Sequence, residues 1–333
     1  MRRLTWLGSL ALVGCRPVPA IDDAGGSESG DDTINATAST TTSTTTSTTT
    51  NTDSSSGAVR STSTGRANST GETVLCNGST PLCERPYDTV VFPGTHNSVA
   101  ATESGFAAIN ANQTKPIADQ LADGIRVLLL DVTYDDGETA LCHGPCALGS
   151  RPHVEVLAEL RTFLADNPRE VVTIIYQDSV TPEDIAADFD ETNLLDLVYT
   201  HQDSPWPTLS EMIEANTRLV VTAENSGPPP AWFHRIWDLA WDTPYSFTSL
   251  ESFSCEHNRG ELDNPLFLLN HWLSTEAGLP AASMAAQANA ADVLLARVAE
   301  CQRGMGRTPT FIAVDYYEQG DLFEVVQMLN AQR

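Results

Sequence analysis

Residues 89–98 read TVVFPGTHNS: a short apolar run, then Pro-Gly, then the polar cluster Thr95, His96, Asn97 and Ser98. Val, Phe and Thr suit the pleated, half-buried setting of a β-strand, and Pro-Gly punctuates one. The same layout recurs along the chain. IRVLLL at 125–130 leads to Asp131, ALC at 140–142 to His143 and Gly144, and VVTIIY at 171–176 to Gln177 and Asp178. RLVVT at 218–222 runs on to Glu224 and Asn225, LFLL at 266–269 to Asn270 and His271, and TFIAV at 310–314 to Asp315. Near-continuous apolar strands belong to a parallel sheet covered on both faces. Helical patterns at 154–165, 181–189, 209–216 and 281–301 supply covers. Strands alternating with helices predict an α/β fold, and in a parallel β/α barrel the polar endings fall on one rim, where active sites are built. An eighth strand is expected near Trp241–Phe247.

Working outward, the 333 residues carry 18 Lys+Arg against 44 Asp+Glu, a formal net charge of −26. Lys115 is the only lysine, so the chain lacks the basic footprint that a nucleic-acid partner or sustained docking on anionic lipid requires. Residues 1–15, MRRLTWLGSLALVGC, have two arginines and an apolar run too short to span a bilayer, the layout of an export signal. Small residues before Cys15 resemble a bacterial lipobox, with Cys15 as the lipidated mature N-terminus. Residues 16–72 are Ser/Thr-rich and bury almost nothing, so a disordered tether is expected, with a span of roughly 40 Å. The barrel is assigned to 73–333, and the expected location is the extracytoplasmic face of a membrane or the cell surface. Six further cysteines, Cys76, Cys83, Cys142, Cys146, Cys255 and Cys301, suit disulfides in an oxidising compartment. Pairs 76–83, 142–146 and 255–301 are the expectation, although the sequence leaves other connectivities open.

The rim residues suggest acid–base chemistry. An imidazole exchanges protons near neutral pH without a cofactor, and His96 and His143 stand at strand ends beside small residues. His153, His201, His234 and His257 read as structural; the aromatic residues Trp232, Phe233, Trp237 and Trp241 suit buried core first and contact with lipid second. Asp131 and Asp315 are candidates to orient the histidines. Asn97, Asp131 and Asp178 offer oxygen ligands to Ca²⁺, and Glu224, Asn270 and His271 are candidate substrate-binding residues. Neither G-x-G-x-x-G after a strand nor G-x-x-x-x-G-K-[ST] occurs, so the usual nucleotide cradles are missing.

VVFPGTHNS, QLADGIRVLLLDV, LCHG and NPREVVTIIYQD, in that order, resemble the catalytic X region of phosphatidylinositol-specific phospholipases C. The likeness is greatest to the secreted PLC-like phosphodiesterases. It continues through RLVVTAEN, LLNHW and TPTFIAVDYYEQGD, covering roughly residues 85–330. The resemblance implies a distorted TIM-type β/α barrel and a phosphoric diester hydrolase or lyase. His96 is then the general base on an attacking hydroxyl and His143 the general acid on the leaving group. A phospholipid or an inositol-phosphate-type compound is the implied substrate.

The sequence departs from that family where charge on the phosphoryl oxygens must be neutralised. Metal-dependent relatives place Glu where Leu129 and Gln177 stand, and metal-independent ones place Arg where Thr133 stands. The Ca²⁺ site, with Asn97 and Asp131 alone matching, is incomplete relative to the family, and a weaker one drawing on Asp178, or on Asp135 and Asp136, is the alternative. Two other readings follow: a silent binding module on the same barrel, and a glycerophosphodiesterase-like enzyme. The latter's His-Arg-Gly opening and Glu-x-Asp pair are missing.

Overall fold

The computed structural model describes residues 74–203 and 205–332. The expectations for Cys15, the tether and the export signal lie outside the described residues. In chain order the strands are β1 (Phe92–Thr95), β2 (Val127–Asp135), β3 (Glu138–Leu141), β4 (Arg151–Pro152), β5 (Val172–Asp178), β6 (Leu219–Ala223), β7 (Phe233–Arg235), β8 (Ala240–Asp242), β9 (Leu266–His271) and β10 (Phe311–Val314). The helices are α1 (Ile117–Asp123), α2 (His153–Asp166), α3 (Pro182–Glu191), α4 (Leu209–Glu214), α5 (Ala285–Ala288), α6 (Ala291–Met305) and α7 (Leu322–Ala331).

Eight strands run parallel in the order β7-β6-β5-β2-β1-β10-β9-β8. That order follows the chain around a ring whose two ends, β7 and β8, are not joined by a ladder among the described residues. The fold is thus the distorted α/β barrel that the sequence predicts. It is open beside the arc that lacks helices: no α-helix lies between Glu214 and Ala285.

Strand parity sets everything above it. Successive side chains on a strand face opposite sides. Phe92, Val127, Leu129, Ile175, Val220, Leu268, Phe311 and Ala313 form one buried cluster in the barrel interior. Leu128, Leu130, Ile174, Val221, Leu269, Ile312 and Val314 belong to a second, which includes helix residues such as Leu121, Leu160 and Val298. At Gly94 the interior is too tight for any side chain, since a Cβ would lie 2.9 Å from the Val127 Cβ. Local signals hold the covers. Gly124, at φ 119°, closes α1. Thr181 caps α3, and Thr208 with Glu211 forms a capping box on α4.

Three expectations need correction. The run at 140–142 is not a barrel strand: β3 folds back antiparallel on the long end of β2 and pairs with β4. Phe233–Arg235 is a barrel strand that the aromatic cluster concealed. The helix expected over 281–301 is a 3₁₀ turn, α5 and α6, separated at Asn289 and Ala290. The three disulfides are Cys76–Cys83, Cys142–Cys146 and Cys255–Cys301, the expected pairs. Among the described residues no helix is long and apolar enough to cross a membrane.

Candidate active site

The interior parity that places Phe92, Leu129, Ile175, Leu268 and Ala313 in the barrel carries on, two residues at a time, to its rim. It delivers His96, Asp131, Gln177, Asn270 and Asp315 there, and five of the rim side chains, His96, Asp131, Gln177, Glu224 and Asn270, line one small cleft. The outward parity removes two expected site residues. Asp178 accepts from the Asn225 backbone and the Ser226 hydroxyl, so it fastens the loop after β6 and takes no part in the cleft. His271 is fully buried against the helices, with Nε2 on the Ala288 carbonyl and Nδ1 near Arg297. Burial, and then the neighbouring Arg297 cation, pulls its pKa down to about 3, so it is neutral and structural.

His96 follows β1 directly. Its Nδ1 lies 2.9 Å from Asp315 Oδ1, one strand away, and its ring stacks on Trp272 at 3.7 Å and 8°. The carboxylate fixes a proton on Nδ1 and leaves Nε2 as the basic nitrogen. Asp315 is held in turn by Asn112, whose Nδ2 donates to Oδ2 at 3.0 Å. His143 stands on the short loop that follows β3, closed by the Cys142–Cys146 disulfide and tied by Asn110 to the His143 carbonyl. Its Nδ1 lies 3.2 Å from Asp131 Oδ2. Asn97 connects the two dyads, with Nδ2 3.2 Å from Asn112 Oδ1 and 3.4 Å from His143 Nε2. Asn97 reaches that position with φ at 44°, left-handed backbone that Asn tolerates better than most residues. The two imidazoles face each other edge to face with centroids 6.4 Å apart.

Two imidazoles, each with Nδ1 on a carboxylate and with ring centroids 6.4 Å apart, form an arrangement suited to proton transfer. Asn112 and Trp272 were not foreseen. Asn112 lies in a loop with no strand ending to mark it. Trp272 was within sight in the run LLNHW.

A third group was also missed. Arg259, in the loop after β8, lines the cleft. It gives Nε and Nη2 to Asp242 Oδ2 at 3.1 and 2.6 Å and Nη1 to Glu224 Oε2 at 2.7 Å. Its guanidinium lies over the rings of Trp237 at 4.1 Å and Tyr245 at 4.9 Å. Asn270 Nδ2 completes the cluster on Asp242 at 3.0 Å. Burial, chiefly, raises the pKa values of both Glu224 and Asp242, against the lowering pull of Arg259.

The donor set does not suit a Ca²⁺ ion. Leu129 and Gln177 replace carboxylates, Asp131 is engaged with His143, and Glu224 with Arg259. Hard divalent cations want several free oxygens. Among the described residues the one group of three His, Cys, Asp or Glu side chains close enough to share an ion is Asp135, Cys142 and Cys146, and its cysteines are spent in a disulfide.

An eight-stranded parallel barrel with paired histidine–carboxylate dyads at its rim defines the class as an α/β-barrel protein of the phospholipase C type. The family model described as PI-PLC X 1 matches residues 82–330, and the chain belongs to that family. It is 29% identical over 306 residues to an uncharacterized secreted protein of Arthroderma benhamiae, covering 83% of this chain and 68% of that one. It is 27% identical to the PI-PLC X domain-containing protein 1 of the same fungus, covering 78% and 91%. Among solved structures, a mutant of the phosphatidylinositol-specific phospholipase C from Staphylococcus aureus superposes with a TM-score of 0.53 at 15% identity, covering 75% and 93%.

Proposed function

We propose that this protein is a phosphodiesterase that cleaves a phospholipid or glycerophospho head group by attack of a hydroxyl on the neighbouring phosphorus. His96 Nε2 takes the proton from that hydroxyl, and His143, as imidazolium, gives one to the departing oxygen. Asp315 and Asp131 hold each ring by Nδ1 and stabilise its protonated form. The observation that carries this reading is the pair of imidazoles, each held by a carboxylate, with ring centroids 6.4 Å apart. The Trp272 face stacked on His96 favours the imidazolium that forms as the hydroxyl loses its proton. Family membership supports the reaction class, and the secreted fungal relative supports export. We further propose that Cys15 is lipidated and tethers the barrel to a membrane, which a palmitate label lost in Cys15→Ala checks.

The test is incubation with phosphatidylinositol and mixed bacterial lipids, followed by mass spectrometry of the aqueous phase. A cyclic inositol phosphate released by the parent protein and not by His96→Ala is the expected result. Other phosphorylated head groups would keep the chemistry and discard inositol. No release from any lipid or glycerophosphodiester would leave a silent binding module as the better account.

A further inference from the structure

The proposed chemistry lacks one component: positive charge for the phosphoryl oxygens, which neither a closed Ca²⁺ site nor a second-strand arginine supplies. We propose that Arg259 is the phosphoryl-binding cation of this cleft, presented from the loop after β8 and positioned by Asp242 and Glu224. The inference rests on the phosphodiesterase reading above.

The geometry argues for it in four ways. Arg259 is the only cationic Lys or Arg among the residues lining the cleft that His96, Asn97 and Asp131 share. Its orientation is over-determined: Asp242 holds Nε, Nη2 and the Arg259 backbone amide, while Trp237 and Tyr245 confine the guanidinium plane. A preorganised donor of this kind needs no rearrangement as charge develops in the transition state. The bonds to Asp242 and Glu224 occupy only part of the guanidinium's donor fork, which leaves N–H groups for a phosphoryl oxygen.

Two carboxylates on one guanidinium would seem to cancel it, but they are not equivalent. Asp242 is fully buried and is also bonded by Asn270 and Asn258, so it stays. Glu224 holds Arg259 by a single bond to Nη1, whereas Asp242 takes Nε, Nη2 and the backbone amide. An incoming phosphodiester is the stronger competitor for Nη1, and Glu224 is the partner it displaces. The charge is thus delivered without a metal.

The test combines activity with binding of inorganic phosphate, followed by the imidazole signals of His96 and His143 in NMR titration of the full chain. Arg259→Met should lower kcat/KM by about a hundredfold or more and weaken phosphate binding at least several-fold, with parent activity unchanged in EDTA. Arg259→Met leaves Asp242 and Glu224 unpaired, so Arg259→Met/Glu224→Gln/Asp242→Asn is measured beside it, with melting curves to check the fold. Arg259→Lys should recover part of the binding. A folded Arg259 variant with parent-like kcat/KM and phosphate affinity overturns the inference, as does activity abolished by EDTA and restored by Ca²⁺. An inactive parent protein that still binds phosphate through Arg259 would overturn the phosphodiesterase reading and leave this one standing.

Discussion

The two arcs of the barrel are built unlike each other. From β1 to β6 the barrel strands are four to nine residues long and alternate with α1, α2, α3 and α4. Around the opening, β7 and β8 have three residues each, and loops rather than α-helices follow them. The covered arc supplies His96, Asn97, Asp131 and His143, the groups assigned above to the proposed proton transfer. The bare arc supplies Asp242 and Arg259, with Asn270 and Trp272 from the strand that follows. A covered strand buries both faces and holds its ends rigidly, which suits groups that must meet a reacting atom within tenths of an ångström. A bare strand frees a long loop to reach over the rim, which is how Arg259 arrives opposite β6.

The largest effect should fall on the covered arc. His96→Ala and His143→Ala should each lower kcat about 10²- to 10⁴-fold while leaving the circular dichroism unchanged. Parent-like turnover in either would remove that residue from the reaction. His271, at the outer face of β9, gives a prediction of a different kind. Its folded pKa of about 3 lies below the ordinary 6.5, so the unfolded chain binds more protons between those values. Its contribution to stability is therefore complete above pH 6.5 and drains away as the pH falls toward 3. A loss on the order of several kcal/mol should appear in denaturant midpoints, and His271→Gln should flatten that slope. An equally steep acid slope in the variant would place the sensitivity elsewhere.

The disulfides sharpen the contrast further. Cys255–Cys301 closes a separation of 46 residues and ties the loop after β8 to α6. Replacing both cysteines with Ala should cost about 2–4 kcal/mol, read as a lowered melting temperature. Cys142–Cys146 spans only 4 residues around His143. Its removal should leave the melting temperature nearly unchanged and lower kcat, because the loop no longer holds the acid in place. The opposite pattern, a large stability loss with full activity, would mean that the short link has no part in placing His143. Gly94→Ala should also lower stability without touching the rim, since the Val127 Cβ must give way; overpacking of this kind costs about 1–3 kcal/mol.

Legibility followed the same division. In the covered arc, apolar runs such as VLLL and VVTIIY, followed by amphipathic helices, made the barrel readable and brought His96 and Asp131 to the rim, as TFIAV of β10 did Asp315. Boundaries slipped by a few residues, and ALC at 140–142 was read as a barrel strand because an edge hairpin of that composition has the same pattern. In the bare arc the strands are too short for their period to fix the bounds: the eighth strand is expected near Trp241–Phe247, and β8 spans Ala240–Asp242. FHR and AWD carry no alternation, so Asp242 was not seen as a strand ending, and Arg259 had no strand to mark it.

The sequence by itself determined most of the strand endings, the polar groups they carry and the six cysteines that follow Cys15, because these follow from local hydrophobic period and residue chemistry. Which ending faces the cleft depended on strand bounds good to a single residue. A shift of one exchanges Asn270 for His271, or Gln177 for Asp178, between the interior and the helix layer. The pairing of Asp315 with His96 and the approach of Arg259 to Glu224 join residues on different strands or loops. Only closure of the barrel brings them within a hydrogen bond of each other.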